Sequence, residues 1–418
     1  MKEKIRVGYV GLGRRGCGVL KANFALMPDV DLVYMCDLIP ERAQKGCAIV
    51  QELGGYSPKA ISDYHEILAD DSIDALIIMT CWSGRPQIAM DAMKAGKYAA
   101  IEVGCADSLQ ECFDLVRVSE ETGKPCMMLE NCCYARREMM VLNMVKQGLF
   151  GEIVHCAGGY MHYLPEEDLY RHILREEGHP HYRIDHYIRQ NRENYPTHEF
   201  GPLSKILGIN RGNRILTLSS FASKARALKQ YCKDHMEDPA LAEIDYKQGD
   251  IVTTVMTCAN GETVVLTLDT TAPRPYYSRN FTVRGTLGMS FEDTKVVYLD
   301  GMEHRVRDNE EQFFEKYDHP LYKEYTAMQS RGGHGGIDWL VCRAFVEAVK
   351  NGTQTPIDVY DTAAWLAIGP LSEASIQQGG APQQFPDFTN GRWNDREPLV
   401  KGKYCLDEVV EDKSVPIY

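Results

Sequence analysis

Three features of the sequence predict an α/β fold: an N-terminal Rossmann domain with a doubly wound parallel sheet, and a C-terminal α/β domain with an open, largely antiparallel sheet. Short apolar runs alternate with amphipathic helical segments from Lys4 to about Glu130. The first of those runs feeds directly into a glycine-rich turn, VGYVGLGRRG. After Glu130 the rhythm changes, and from Arg214 to about Val297 strand-like runs follow one another with turn residues between them. A chain of 418 residues exceeds one ordinary core, and two domains are expected, over 1–131 and 132–418.

The N-terminal runs IRVGYV, VDLVYMCD, IDALIIMT, KYAAIEV and PCMMLE are continuously apolar rather than alternating, as strands buried on both faces of a parallel sheet must be. Beyond them the pattern gives a helix from about Arg136 to Gln147, a strand from Glu152 to Met161, and a loop-like stretch from Tyr163 to Asn194. DIVTTVMTCA, ETVVLTLDTT and NFTVRGT read as strands of the second sheet. Amphipathic helices follow near Ile337–Lys350 and Thr362–Gln377.

Composition removes several function classes. A net charge of -13 opposes binding to a phosphate backbone, which needs a basic stripe, so no nucleic-acid partner is expected. No apolar run approaches the roughly 18–20 residues that cross a bilayer, and MKEK leads straight into a strand, so a cytoplasmic protein with no membrane partner is expected. The 14 cysteines are scattered through apolar runs, the usage of buried thiols in a reducing compartment. Adjacent Cys132 and Cys133 converge poorly on one ion and no C-x-x-C pair is present, so no metal is expected.

Gly11, Gly13 and Gly16 have G-x-G-x-x-G spacing between a strand and a helix, with Arg14 and Arg15 inside the turn. The first glycine permits the turn, the second lets backbone approach a pyrophosphate, and the third lets the helix pack on the strand. Asp37 ends the second strand, where an acid accepts hydrogen bonds from ribose hydroxyls and repels a 2'-phosphate; NAD is therefore the expected cofactor. The competing role for Asp37 is a cap on the next helix. The strand-end loops Thr80 to Pro86 and Ile101 to Cys105 are expected to face the nicotinamide.

The segments MMLENCCYARREMMVLNMVKQGLFGEIVH, GGYMHY, YPTHEFGPLSKILGINRGNR and HGGIDW resemble glycoside hydrolase family 109, within the Gfo/Idh/MocA oxidoreductase superfamily. The resemblance implies an NAD-dependent glycosidase, best known in the family as an α-N-acetylgalactosaminidase, acting on a small-molecule glycoside. Carried over by position, it implies NAD contacts at Arg15, Gly16, Asp37, Trp82, Ser83, Gly84, Arg85, Glu102, Val103 and Asn131. It implies substrate contacts at Tyr160, Arg183, Tyr195, Pro196, Thr197, His198 and Tyr277. This chain departs from the family's W-x-W-H loop at Trp82–Arg85, and has Glu199 where T-H-G is usual. The superfamily also leads us to expect a homo-oligomer built on the open sheet.

The implied chemistry is a redox detour, outside the two-carboxylate scheme of ordinary glycosidases. NAD+ takes hydride from C3, the C2 proton becomes acidic, the leaving group departs from C1, water adds, and the hydride returns. His198 suits the C3 hydroxyl proton and Tyr160 the C2 proton, with Arg183 supplying charge. The ordinary alternatives are a solvated or capping histidine and packing tyrosines, and on local grounds Thr197 is the expected cap of the helix that carries His198. A sugar dehydrogenase with net turnover is the alternative, although Val103 stands where many superfamily dehydrogenases carry a lysine. Histidines 172, 179, 181 and 186 in the long loop read as solvated parts of a substrate lid. HGGIDW reads as a helix start at the rim of the site, with His334 within reach of substrate.

Overall fold

The computed structural model describes residues 2–164, 182–327, 332–397 and 402–411. The N-terminal sheet has six parallel strands, β1 (Ile5–Val10), β2 (Val30–Cys36), β3 (Lys59–Ile61), β4 (Ala75–Ile78), β5 (Tyr98–Ile101) and β6 (Cys126–Met128), in the order β3-β2-β1-β4-β5-β6. All four residues of β4 are fully buried, which is what its unbroken apolar run required. The order reverses between β1 and β4, and the loops leaving those two strands open the crevice where such sheets bind ligands.

The second sheet joins β7 (Ile153–Met161), β8 (Ile215–Ala222), β9 (Ile251–Cys258), β10 (Thr263–Asp269), β11 (Thr282–Gly285), β12 (Gly288–Phe291), β13 (Val296–Leu299) and β14 (Gln383–Gln384). Their order is β13-β12-β11-β7-β10-β9-β8-β14, antiparallel throughout except for the β7/β10 pair. Strands β9 and β10 alternate between buried and accessible residues, so one face is covered and the other is open, with Phe221 and Val255 exposed on it. Among the described residues no helix is long and apolar enough to cross a membrane.

Helices Arg136–Lys146, Thr197–Ile206, Ile337–Asn351 and Val359–Gln377 form much of the shared core. The last of them packs back on the N-terminal sheet: the Met128 amide donates to Thr362 Oγ1 (3.2 Å) and the Ala106 amide to the Leu366 carbonyl (3.4 Å). Trp365 Nε1 donates to Ser204 Oγ (2.9 Å), tying the same helix to Thr197–Ile206. Below that helix, Lys205 Nζ is buried between Asp361 (2.6 Å) and Asp407 (3.1 Å), and Arg211 pairs with Asp358 and Asp361. A buried charge stripped of its partners is costly, so this network pins the far end of the helix that carries His198.

Two local expectations are corrected. The stretch read as loop contains a helix, Tyr182–Arg189, whose buried face is Arg183, Ile184, His186 and Tyr187; positions 165–181 of the expected lid, with histidines 172, 179 and 181, lie outside the described residues. Thr197, expected as a cap, is the first residue of its helix. Pro196 holds the cap position with helical dihedrals (φ -74°, ψ -19°), and its carbonyl accepts the Phe200 amide (3.0 Å). A proline's fixed φ suits that position without any capping side chain.

Candidate active site

The glycine turn shapes one end of a groove of about 710 Å³ at the carboxyl ends of β1, β2, β4 and β5. Gly11 has φ +96°, and a Cβ there would stand 2.6 Å from the Met79 carbonyl carbon. A Cβ on Gly16 would stand 2.1 Å from the Gly11 carbonyl oxygen, so helix and strand approach as closely as only glycine allows. Gly13 faces open groove, where an added Cβ would meet only Arg42, at 3.9 Å. That bare backbone beside the N-terminus of helix Arg14–Ala22 is a cradle for a pyrophosphate.

Asp37 lines the groove with both carboxylate oxygens oriented by backbone: the Leu12 amide donates to Oδ2 (2.7 Å) and the Ile39 amide to Oδ1 (3.0 Å). It thus braces the start of the next helix and still presents an acceptor to a ribose. Arg14, Arg15, Arg85 and Glu102 also line the groove. Arg15 pairs with Glu102 (3.1 Å) and with Asp338 (2.8 Å), which in turn accepts from Asn131 Nδ2 (2.7 Å) and lies 2.9 Å from His334 Nδ1. Burial alone would raise the Asp338 carboxyl, but the His334 and Arg15 contacts hold it well below the usual carboxylate range. His334 thus joins the Arg15–Asp338 group at the edge of the cofactor groove.

The Trp82–Arg85 loop divides its work. Trp82 is buried, Gly84 takes φ +76° at the start of helix Arg85–Lys94, and Ser83 Oγ stands 3.5 Å from His186 Nε2. Arg85 spends donors on the carbonyls of Thr80 (3.2 Å) and Val103 (2.7 Å), stitching the β4 loop to the β5 loop. Trp82, Val103 and Asn131 are buried, with relative accessibilities of 3% or less.

Next to this groove the structure brings together Tyr160, Arg183, Tyr195, His198 and Tyr277. The Tyr160 and Tyr195 ring centroids are 4.4 Å apart, His198 is 4.9 Å from Tyr195 and 5.6 Å from Tyr160, and Tyr277 is 6.1 Å from Tyr160. The Arg183 guanidinium lies 5.2 Å from the Trp82 ring centroid and 5.0 Å from that of Tyr195, a cation beside two neighbouring rings that are 6.0 Å apart. Burial, then the neighbouring Tyr160 hydroxyl, pushes the Tyr195 phenol well above its usual value. Tyr182 joins the two halves, lining the groove while its ring meets Trp82 edge to face at 5.1 Å.

His198 Nδ1 stands 2.8 Å from Glu130 Oε1, and Glu130 is wholly buried at the end of β6. Burial alone would raise the Glu130 carboxyl; the imidazole and the Cys132 amide outweigh it and leave the carboxyl below its ordinary value. Tyr160 shares a 2.8 Å hydrogen bond with His162 Nδ1. Neither Glu130 nor His162 was picked out from sequence. Their only signal was position, at a strand's carboxyl end and at i+2 on the strand carrying Tyr160.

The family model described as "Glycosyl hydrolase 109, C-terminal domain" matches residues 134–395. The chain belongs to glycosyl hydrolase family 109. The model described as "Oxidoreductase family, NAD-binding Rossmann fold" matches residues 5–130, and the glycine cradle with Asp37 fits that cofactor: the chain is an NAD-binding glycosidase. A family 109 protein from Solibacter usitatus is 38% identical over 404 residues, covering 94% of this chain and 90% of its own length. A protein from Tannerella forsythia named alpha-N-acetylgalactosaminidase is 38% identical over 414 residues, covering 94% and 88%. In fold the chain is similar to levoglucosan dehydrogenase solved with NADH (TM-score 0.68, 16% identity, 92% of this chain and 99% of that one). It is also similar to the WlbA dehydrogenase of Bordetella pertussis solved with NADH and UDP-GlcNAcA (TM-score 0.66, 17% identity, 92% and 99%).

Within this family 109 chain, Glu199 does not face the tyrosines as a free carboxylate. Its side chain is fully buried, 3.3 Å from Arg279 Nε, and Arg279 also pairs with Glu138. Burial first, and then the neighbouring acids, push the Glu199 carboxyl well above its usual value. Glu199 packs against Gly158, where an added Cβ would lie 2.6 Å from its own Cβ.

Proposed function

We propose that this family 109 enzyme hydrolyses an N-acetylgalactosaminide or related hexoside by transient oxidation at C3, elimination across C1–C2, addition of water and re-reduction. The observation that carries this reading is the convergence of His198, backed by Glu130, with Tyr160, Arg183, Tyr195 and Tyr277 beside the NAD groove. Bound NAD supplies the hydride acceptor and then the donor, so no net NADH accumulates.

The hydrogen bond to Glu130 occupies His198 Nδ1 and leaves Nε2 to accept the proton of the C3 hydroxyl. Glu130 also stabilises the imidazolium that results, as a buried carboxylate does behind a catalytic histidine. Tyr160 takes the proton from C2 as a phenolate, its own proton having passed to His162 Nδ1 along their 2.8 Å hydrogen bond. Arg183, aimed by its contacts with the Trp82 and Tyr195 rings, holds a sugar oxygen and favours the charge that develops when C2 loses its proton. Tyr195 and Tyr277 give ring surface to the sugar face. The relative named alpha-N-acetylgalactosaminidase supports the choice of sugar.

A screen of aryl glycosides, run on protein stripped of NAD and again after NAD+ is restored, tests the reading. Aryl alcohol should be released only with NAD+ present and without stoichiometric NADH. Stoichiometric NADH with the glycosidic bond intact would instead identify a sugar dehydrogenase. We further propose a homo-oligomer, supported by the open face of the second sheet with Phe221 and Val255 exposed; light scattering coupled to size exclusion reads its mass.

A further inference from the structure

The adjacent cysteines, set aside at the sequence level as a metal pair, face different surroundings. Cys133 Sγ lies 3.2 Å from where a Cβ on Gly201 would stand. Cys132 Sγ donates to Asn131 Oδ1 (3.5 Å) and also lies near Glu130 and His198, one ligand atom from each of these three residues lying within 4.8 Å of the other two.

Thiolate, imidazole and carboxylate are the ligands of zinc sites, with bond lengths of about 2.0–2.3 Å. Closing a triangle of that size onto one ion takes side-chain shifts on the order of half an ångström. Glu130 and Cys132 are almost wholly buried, and the Glu130 carboxylate has Thr197 as a further polar neighbour. Arg279, a cation close to Cys132, is already engaged by Glu138 and Glu199 and lies 4.0 Å from Glu292. His198 keeps 14% of its side chain accessible, which leaves a path from the tyrosine cluster and an open coordination position toward it.

We propose that Glu130, Cys132 and His198 form a binding site for a thiophilic divalent cation of the zinc class, and that filling it shuts the enzyme off. The cation enters as the Cys132 thiol proton leaves and the imidazole proton shifts from Nδ1 to Nε2. With Nδ1 on the cation and Nε2 protonated, His198 has no lone pair left for the base role it takes in the proposed cycle. The binding half rests on the ligand set alone; the inhibitory half rests on the proposed function.

Co2+ titration of the NAD-loaded protein tests the binding half, in a Cys81→Ser background that removes the exposed thiol. The site predicts a near-ultraviolet thiolate-to-cobalt absorption that saturates at one cobalt per chain and is displaced by Zn2+. Cys132→Ser should abolish the band and weaken binding at least about tenfold, as losing a direct ligand costs no less than losing its outer support, whereas Cys133→Ser should keep it. Absence of the band in the parent protein, or its survival in Cys132→Ser, overturns the site. If Cys132→Ser folds poorly, Cys132→Ala and the parent titration decide the same question. Zn2+ inhibition of aryl-glycoside release should be relieved about tenfold by Cys132→Ser; inhibition of equal strength in both proteins overturns the inhibitory half. The spectra need no turnover, so a chain that binds cobalt here but cleaves no glycoside contradicts the proposed function and not the site.

Discussion

His198 Nδ1 and Glu130 Oε1 are 2.8 Å apart, and they join the first turn of one helix to the end of the last parallel strand. The carboxylate has no solvent exposure, so its hydrogen bond fixes which imidazole nitrogen faces the sugar. Glu130→Gln keeps the shape and removes the charge. It should lower kcat by roughly 10²- to 10⁴-fold with a small change in KM, read from steady-state kinetics on an aryl glycoside. An unchanged kcat would show that the pair is only structural.

The Arg183 guanidinium lies over both the Trp82 and the Tyr195 ring. Lysine carries the charge but lacks the flat, delocalised group that packs on aromatic faces. Arg183→Lys should therefore cost at least about tenfold in kcat/KM, while NAD affinity, measured by titration calorimetry on stripped protein, stays within about twofold.

Gly158 and Glu199 compete for one space. An alanine at 158 would bring Cβ atoms to 2.6 Å, closer than packed side chains allow. Gly158→Ala should destabilise by about 1–3 kcal/mol in urea unfolding, and in a double-mutant cycle the added methyl should cost much less on a Glu199→Gly background, where the opposing Cβ is gone.

These cases show what the sequence could disclose. Strands β1, β4, β5 and β6 were legible because burial on both faces leaves an unbroken apolar run, and the Gly11–Gly16 turn because its geometry admits only glycine. The Glu130–His198 contact was not legible, since it joins residues 68 apart and nothing local marks Glu130 as an acceptor. The Tyr182–Arg189 helix was masked by polar composition, although Arg183, Ile184 and Tyr187 fall on one helical face. Glu199 read as a carboxylate placed beside His198 where the family usually has glycine. Successive helical residues point in different directions, and it turns to Arg279 instead.

Glu193 predicts how stability changes with pH. Burial pushes its carboxyl up to about 8, with the Tyr195 amide the one group that lowers it. A carboxyl raised on folding contributes stability that is complete below the unfolded value and is lost as pH rises through the folded one. Stability should fall between about pH 4.5 and pH 8, by a contribution on the order of 4 kcal/mol from this group. Glu193→Gln should raise Tm at pH 8.5 and leave it unchanged at pH 5; equal shifts at both would refute the assignment.

Asp338 gathers Arg15, Asn131 and His334 at the groove's edge. Asp338→Asn removes the charge that holds Arg15 there, and the NAD Kd should rise about tenfold. Fluorescence titration with NADH measures it; an unchanged Kd would mean that Arg15 needs no such anchor.

The central claim is that an oxidised sugar loses and regains a proton at C2 while His198 and Tyr160 handle the protons. Hydrolysis of an aryl N-acetylgalactosaminide in heavy water, followed by proton NMR of the released sugar, tests it most directly. The account predicts deuterium at C2 of the product with no accumulation of NADH. Product released with C2 fully protonated, as in direct displacement at C1, would contradict it.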